Sequence, residues 1–241
     1  MATDHSLTLT TQLEDDLRLW ANILYENITG VMVSQALKRL LALAESAPTI
    51  LLMLAEPWIE AKGHDPNFKL LLQTVAKIHL YARILDDALD ENLPCHREAL
   101  LRYQPLFFEA IYWLGEMFPR KRQQATALIS TTVLAVREDD RYSHPKYWGE
   151  KNHHLLLLPL LCTDNPDLSP QVFRSLSKAL AILQARDEWD QATVSDREII
   201  LSFISGINQQ QMAECLHQAG FNDLAWKALN EEQSLLDRIK I

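Results

Sequence analysis

The chain has 241 residues, about half of them apolar, and its 32 acidic against 23 basic side chains leave a formal charge of −9. That balance excludes a nucleic-acid binder, which needs a basic face for phosphate contacts, but not a phosphorylated small ligand, because bound metal inverts the local field. Six glycines in the whole chain, with leucine, alanine and glutamine abundant, predict an all-α protein.

Apolar spacing predicts a first helix from Leu9 to Asn27, ending near Thr29-Gly30, and a second from Val33 to Glu45 that stops before Ala47-Pro48. A third, Thr49 to Ala61, closes at Lys62-Gly63 with Gly63 as C-cap. His64-Asp65-Pro66-Asn67 reads as a turn with Asp65 as N-cap, opening a long helix from Asn67 to Glu91. Asn92-Leu93-Pro94 ends it. Next come a helix from His96 to Phe118 and another opened by Pro119 that runs to Asp140, before a turn at Ser143-His144-Pro145. A helix from Lys146 to Leu161 is expected to kink at Pro159, and Thr163 to Asp167 is the clearest loop. Ser169-Pro170 has the pattern of an N-cap followed by proline at the first helical position, starting a helix to Ala192. Two or three shorter amphipathic helices complete the chain, one starting near Asn222. No repeat, linker or low-complexity segment interrupts this order, so residues 1–241 are expected to form a single helical domain.

Cys95, Cys162 and Cys215 are widely spaced and form no CxxC, which fits a reducing cytosol rather than a disulfide framework or a zinc site. Met1 to Thr11 has no basic region followed by an apolar run. The most apolar stretch, Leu155 to Cys162, is too short to span a bilayer and contains Pro159. A cytoplasmic protein without a transmembrane segment is the expectation.

Two places carry chemistry. Asp86, Asp87 and Asp90 crowd the last turns of the Asn67–Glu91 helix, with Asp86 and Asp90 one turn apart on one face. The helix dipole is already negative there, and aspartate is a poor helix former. The arrangement therefore calls for a cation to offset the charge, and hard divalent ions such as magnesium prefer carboxylate oxygens. The helix after Pro170 repeats the pattern in Gln184-Ala185-Arg186-Asp187-Glu188-Trp189-Asp190-Gln191. Two such tips facing one another could hold several magnesium ions and, between them, a diphosphate.

The run from His79 to Asp90 resembles the first aspartate-rich motif of trans-prenyl diphosphate synthases, with a histidine seven residues before DDxxD. Gln184 to Glu188 is similar to their second motif, FQxxDDxxD, with Leu183 for Phe and Glu188 for the second Asp; Gln191 holds the last acidic place, for which Asp190 could substitute. Lys151-Asn152-His153-His154-Leu155 resembles their KTxxL, with Asn152 for Thr. The three motifs stand in family order over residues 67–192.

The resemblance implies the all-α isoprenoid synthase fold shared with class I terpene synthases. It implies Asp86, Asp87, Asp90 and Asp187 as metal-binding and catalytic residues, with Glu188 or Asp190 completing the ligands of three magnesium ions around the diphosphate. Lys151, Arg97 and Arg186 would bind the diphosphate. His79, Tyr81, Ala82, Asn152 and Gln184 would line the substrate pocket, where loss of diphosphate leaves an allylic carbocation that an apolar, aromatic-lined cavity shields from water. Tyr81 and Ala82 stand five and four places before the first motif, and the bulk of Tyr81 predicts a C10 to C15 chain.

The chain departs from the elongating enzymes in two places. Where they follow the first motif with an arginine pair, this chain has Cys95 and His96, with Arg97 one residue late. Their GGKR has only Lys38-Arg39 as a counterpart, without the glycines. A one-substrate terpene synthase reaction, cyclisation or elimination after ionisation, is therefore expected over condensation with isopentenyl diphosphate. A chain elongator using Lys38-Arg39 and a non-catalytic helical subunit are the alternatives, and a homodimer is allowed for.

Some features have plainer readings. Glu138-Asp139-Asp140, followed by Arg141, reads as a solvated helix end. His153 and His154, adjacent and without HExxH, point to different helix faces. Of the six tryptophans, most are expected in the core, and Trp189 is the one expected nearest substrate.

Overall fold

The structure is a computed structural model that describes residues 4–90, 93–138, 146–165, 168–190 and 192–237. Every regular element among them is helical, so the protein is all-α. The chain divides into two compact units, residues 1–126 and 127–241.

In the first unit α1 (Asp4–Tyr25), α2 (Val31–Lys62), α3 (Pro66–Asp90) and α4 (Pro94–Met117) pack together, α1 chiefly on α2 and α3 chiefly on α4. On α1, Leu9, Leu13, Leu17, Ala21 and Leu24 recur every three or four residues and are buried as one stripe. The helix stops where Asn27 adopts a positive φ of 66°, a conformation that asparagine tolerates better than most side chains.

Helix α2 corrects one expectation. The predicted break at Pro48 is absent: a single helix of 32 residues runs through both Pro48 and Pro57. An interior proline removes one backbone hydrogen bond and crowds the preceding turn, at about 3 kcal/mol. Here Ala44, Ala47, Leu51, Leu52, Leu54 and Ala55 are buried around Pro48, and their burial outweighs that cost. Because it is continuous, α2 is also long and apolar enough to cross a membrane by length and composition, which the shorter predicted pieces were not; 44% of its most apolar window is buried inside the protein.

The other boundaries of this unit follow local chemistry. Gly63 caps α2 by donating its backbone N–H to Ile59 O at 2.8 Å, with φ −58° rather than a left-handed conformation. Asp65 Oδ1 accepts from the Asn67 amide at 2.8 Å, so it serves as the start signal of α3. Pro119 opens a short 3-10 turn (Pro119–Lys121) rather than an α-helix, and α5 (Arg122–Glu138) follows it.

In the second unit α8 (Pro170–Trp189) is the hub, packed against α6 (Lys146–Glu150), α9 (Val194–Ser205), α10 (Gln209–Gln218) and α11 (Asn222–Asp237). Trp148, Ala181, Ala185, Trp189, Ile200, Ile204 and Leu235 form one of its buried clusters. Trp189, expected near substrate, is therefore a core residue, with the Arg197 guanidinium 5.2 Å from its ring centre.

The predicted helix over Lys146–Leu161 is in three pieces: α6, a 3-10 helix at His153–Leu156, and α7 (Leu157–Cys162). Its break lies at Lys151-Asn152, well before Pro159. Pro170 begins α8 as expected, yet Ser169 makes no side-chain cap. Thr193 and Asp196 form a reciprocal capping box on α9, and Asn208 caps α10 through the Gln211 amide. The expectations at Glu91, Asn92, Asp139 to Pro145, Pro166, Asp167 and Gln191 fall outside the described residues.

Candidate functional site

The candidate residues form two groups, one in each unit. In the first unit, α3 brings Asp86 and Asp87 into buried positions at its end, while Asp90 is exposed in the final turn. Two arginines pair with the inner carboxylates. Arg39 of α2 donates from Nη2 to Asp87 Oδ1 at 2.7 Å, and Arg83 donates from Nη1 to Asp86 Oδ2 at 3.2 Å.

His96 adds a contact between its Nδ1 and the Asp87 carbonyl at 3.1 Å. Burial still dominates at Asp87: it pushes the carboxyl above its usual range against the opposing pull of Arg83, Arg39 and His96. The phenol of buried Tyr25 is raised as well, by burial first and then by Cys95 and Asp87.

His79 lies two turns earlier on α3 and is buried, and burial, helped by Arg83, lowers its pKa to about 3, so it is a neutral imidazole. Tyr81 stacks on Phe107 of α4 with ring centres 3.9 Å apart and planes at 15°, and Ala82 is buried. Arg97 is exposed in the first turn of α4.

In the second unit the break at Asn152 organises the group. The Asn152 side-chain amide donates to Trp148 O at 3.3 Å, the carbonyl an uninterrupted helix would give to Asn152's own N–H. That N–H turns instead to Gly149 O at 3.0 Å. Asparagine competes with the helix ladder in this way, and the chain leaves α-geometry there, with Asn152 at φ −103°, ψ 7°.

Asn152, His153 and His154 are each fastened through a side chain. Asn152 donates to Gln184 Oε1 at 3.2 Å, His153 Nε2 shares a hydrogen bond with Ser177 Oγ at 2.9 Å, and the His154 amide donates to Thr132 Oγ1 at 2.9 Å. Burial lowers the His153 pKa to about 4. Gly149 lets α6 approach α8: a Cβ there would stand 2.8 Å from the Ser177 carbonyl oxygen. Lys151 is buried at the break itself.

Gln184 continues the chain of contacts by donating from Nε2 to Glu188 Oε1 at 2.7 Å. Its amide is therefore held at both ends, and the buried face of α8 joins Lys151-Asn152 to Glu188. Asp187 is exposed beside it. Asp190, exposed too, pairs with Arg186 at 3.0 Å, and Arg186 also lies 3.5 Å from Glu231 of α11. Thus Glu188 rather than Asp190 shares the face of Gln184, and Arg186 is engaged with carboxylates.

Among the described residues no three His, Cys, Asp or Glu side chains converge as a ready-made metal cage. Magnesium does not require one, since it is commonly held by one or two carboxylates together with substrate phosphate oxygens. The donors at the end of α3 fit that chemistry: they are carboxylate oxygens, two buried and one exposed, in consecutive turns. The sequence showed Arg83 three residues before Asp86, a spacing that predicts the contact, but nothing in it pointed to Arg39 as the partner of Asp87, nor to Thr132 and Ser177 as the fasteners of the histidines. Comparison of the chain with protein-family models, with curated proteins and with solved structures finds no match.

Proposed function

We propose that the chain is a magnesium-dependent enzyme of the class I terpene synthase type, ionising an allylic prenyl diphosphate and converting the carbocation by cyclisation or elimination. The observation that carries this reading is the hydrogen bond between Asn152 and Gln184, extended to Glu188. It joins two segments, 32 residues apart, that were matched to the family only by their order.

In this reading buried Lys151 supplies positive charge to the diphosphate, and its position is held by the fastened break around it. Asp86, Asp87 and Asp90 are candidate oxygen donors at the end of α3, and Asp187 and Glu188 are candidate oxygen donors at the end of α8. Arg39 and Arg83 orient the two inner carboxylates of α3. Magnesium, when bound, draws charge from the leaving diphosphate. His79, two turns before the aspartates on α3, is neutral and adds no charge to that end of the helix.

Incubation of the purified protein with C10, C15 and C20 allylic diphosphates and magnesium tests the proposal. The expected result is magnesium-dependent release of diphosphate with a terpene hydrocarbon or alcohol as product. Release from none of the three rejects it and leaves a helical scaffold. Chain elongation is the second reading, favoured by Arg39, one cation of the Lys38-Arg39 pair that stands at the first aspartate motif. A longer diphosphate formed on adding isopentenyl diphosphate would select it.

A further inference from the structure

Helix α11 packs on α8, α9 and α10, and its buried residues Leu224, Ala225, Ala228, Glu232 and Leu235 recur at the spacing of a single helix face. Glu232 is the exception in an otherwise apolar stripe. It is 0% exposed, like Leu224 and Leu235 to either side, and neither carboxyl oxygen makes a well-formed hydrogen bond. A glutamate is almost never fully buried unless it is paired.

The charged groups of the surrounding helices are directed elsewhere. On α8, Arg186 is engaged by Asp190 and Glu231, Glu188 by Gln184, and Arg174, Lys178 and Asp187 are exposed. On α9, Arg197 lies over the Trp189 ring, Asp196 belongs to the capping box and Glu198 is exposed. On α10, Glu214 bonds Gln210, His217 bonds Asn222, and Cys215 is a buried thiol. On α11 itself Glu231 turns to Arg186, and Lys227 stands off the stripe. The side chain that acts on the Glu232 carboxyl is Gln209, an uncharged amide at the start of α10.

We propose that Glu232 is a proton-operated latch: α11 stays docked on α8 and α10 while this carboxyl carries its proton, and loss of the proton releases the helix. A protonated carboxyl is neutral and can sit in a stripe of leucine and alanine. The carboxylate has neither cation nor water there, and it recovers water only when the stripe opens. Gly220, at φ 87°, is the joint between α10 and α11. Burial accordingly raises the docked carboxyl from 4.5 to about 7, with Gln209 opposing. Docking is therefore firmest below pH 4.5, weakens as the pH rises, and has lost this support by about pH 7. Release also draws Glu231 away from Arg186, 3.5 Å distant, so the acidic end of α8 loses its tie to α11. One proton thus links the docking of a helix to the charge balance beside Asp187 and Asp190.

Hydrogen exchange on the full chain at about pH 5 and pH 8, expressed as protection factors so that the intrinsic pH dependence cancels, is the test. The amides of residues 224–235 should lose protection on the order of 10²-fold between the two conditions. They should also be at least ~10-fold less protected than those of residues 176–185 on α8, because α11 opens without the rest of its unit. Glu232→Gln should abolish the pH-dependent loss, while Glu231→Gln should leave it in place. Helical circular dichroism spectra matching the parent at pH 5 establish that the variants are folded, and Glu232→Leu, which completes the apolar stripe, serves where Glu232→Gln is not. Protection of α11 that is indifferent to pH, one protection factor shared by α8 and α11, a loss that survives removal of the Glu232 carboxyl, or a loss abolished by Glu231→Gln would each overturn the proposal.

Discussion

The last turns of α3 and α8 both gather carboxylates behind an apolar helix, yet they are built differently. At the α3 end the inner aspartates are buried and each faces an arginine, one from its own helix and one from α2. At the α8 end Asp187 and Asp190 face solvent, and the buried contact belongs to an uncharged amide, Gln184. A charge removed from water needs a partner, whereas an exposed one is screened and needs none. The same kind of sequence pattern therefore gives a rigid, internally neutralised group in one unit and an open one in the other. What decides between them is what the neighbouring helices present.

Substitutions can break or sharpen this contrast. The largest expected effect is on the proposed activity: Asp86→Asn should lower magnesium-dependent diphosphate release by about 10²–10³-fold, as loss of a pre-positioned electrostatic group does. Asp187→Asn, at an exposed position, should cost about tenfold by the same reasoning. Equal losses in single-turnover assays would mean that the difference in burial does not matter to the reaction.

Next in size is Gly149→Ala, which tests how far the second group depends on close packing of α6 on α8. Its Cβ would stand 2.8 Å from a backbone oxygen, and overpacking of that kind costs about 1–3 kcal/mol, readable from the urea midpoint. The two arginines compare the ends directly. Arg39→Ala strands buried Asp87, but Arg39 is itself 44% exposed, so screening limits the loss to about 1–2 kcal/mol. Arg186→Ala removes a pair whose carboxylate Asp190 is 63% exposed, and should cost about 0.5 kcal/mol or less. Thermal unfolding of both variants should show the first clearly less stable than the second.

A separate effect is one of pH. Glu232 on α11 is fully buried, neither oxygen making a well-formed hydrogen bond, and burial raises its pKa from 4.5 to about 7, with the Gln209 side chain opposing. The folded state then holds this proton more tightly than the unfolded chain. Stability from this group is present below pH 4.5 and is lost as pH rises to about 7. Glu232→Gln should remove that dependence and raise the melting temperature at pH 8 by a few degrees. No gain at pH 8 would show the carboxylate to be better accommodated than its burial implies.

Local signals were legible where one residue could state them. Asp65 and Pro170 mark helix starts because their effects lie within one turn, and Gly63 marks an end for the same reason. Pro48 misled because the burial that carries α2 across it comes from packing, on which local spacing is silent. The break at Lys151-Asn152 was missed because Asn152 looks unremarkable in a run of apolar periodicity; only its capture of the Trp148 carbonyl reveals it. The acidic motifs were legible by pattern. Their surroundings were not, since Arg39 reaches Asp87 from 48 residues away.

The two prolines in α2 leave a mark beyond the boundary they failed to make. Neither residue has an amide hydrogen to send back one turn, so the carbonyls of Ala44 and Met53 lose their usual acceptor duty. A rod of 32 residues, roughly 48 Å at 1.5 Å per residue, thus has two points where bending breaks fewer bonds than elsewhere. Thermal flexing of α2 should concentrate there, giving the longest helix of the first unit two soft joints within an otherwise stiff shaft.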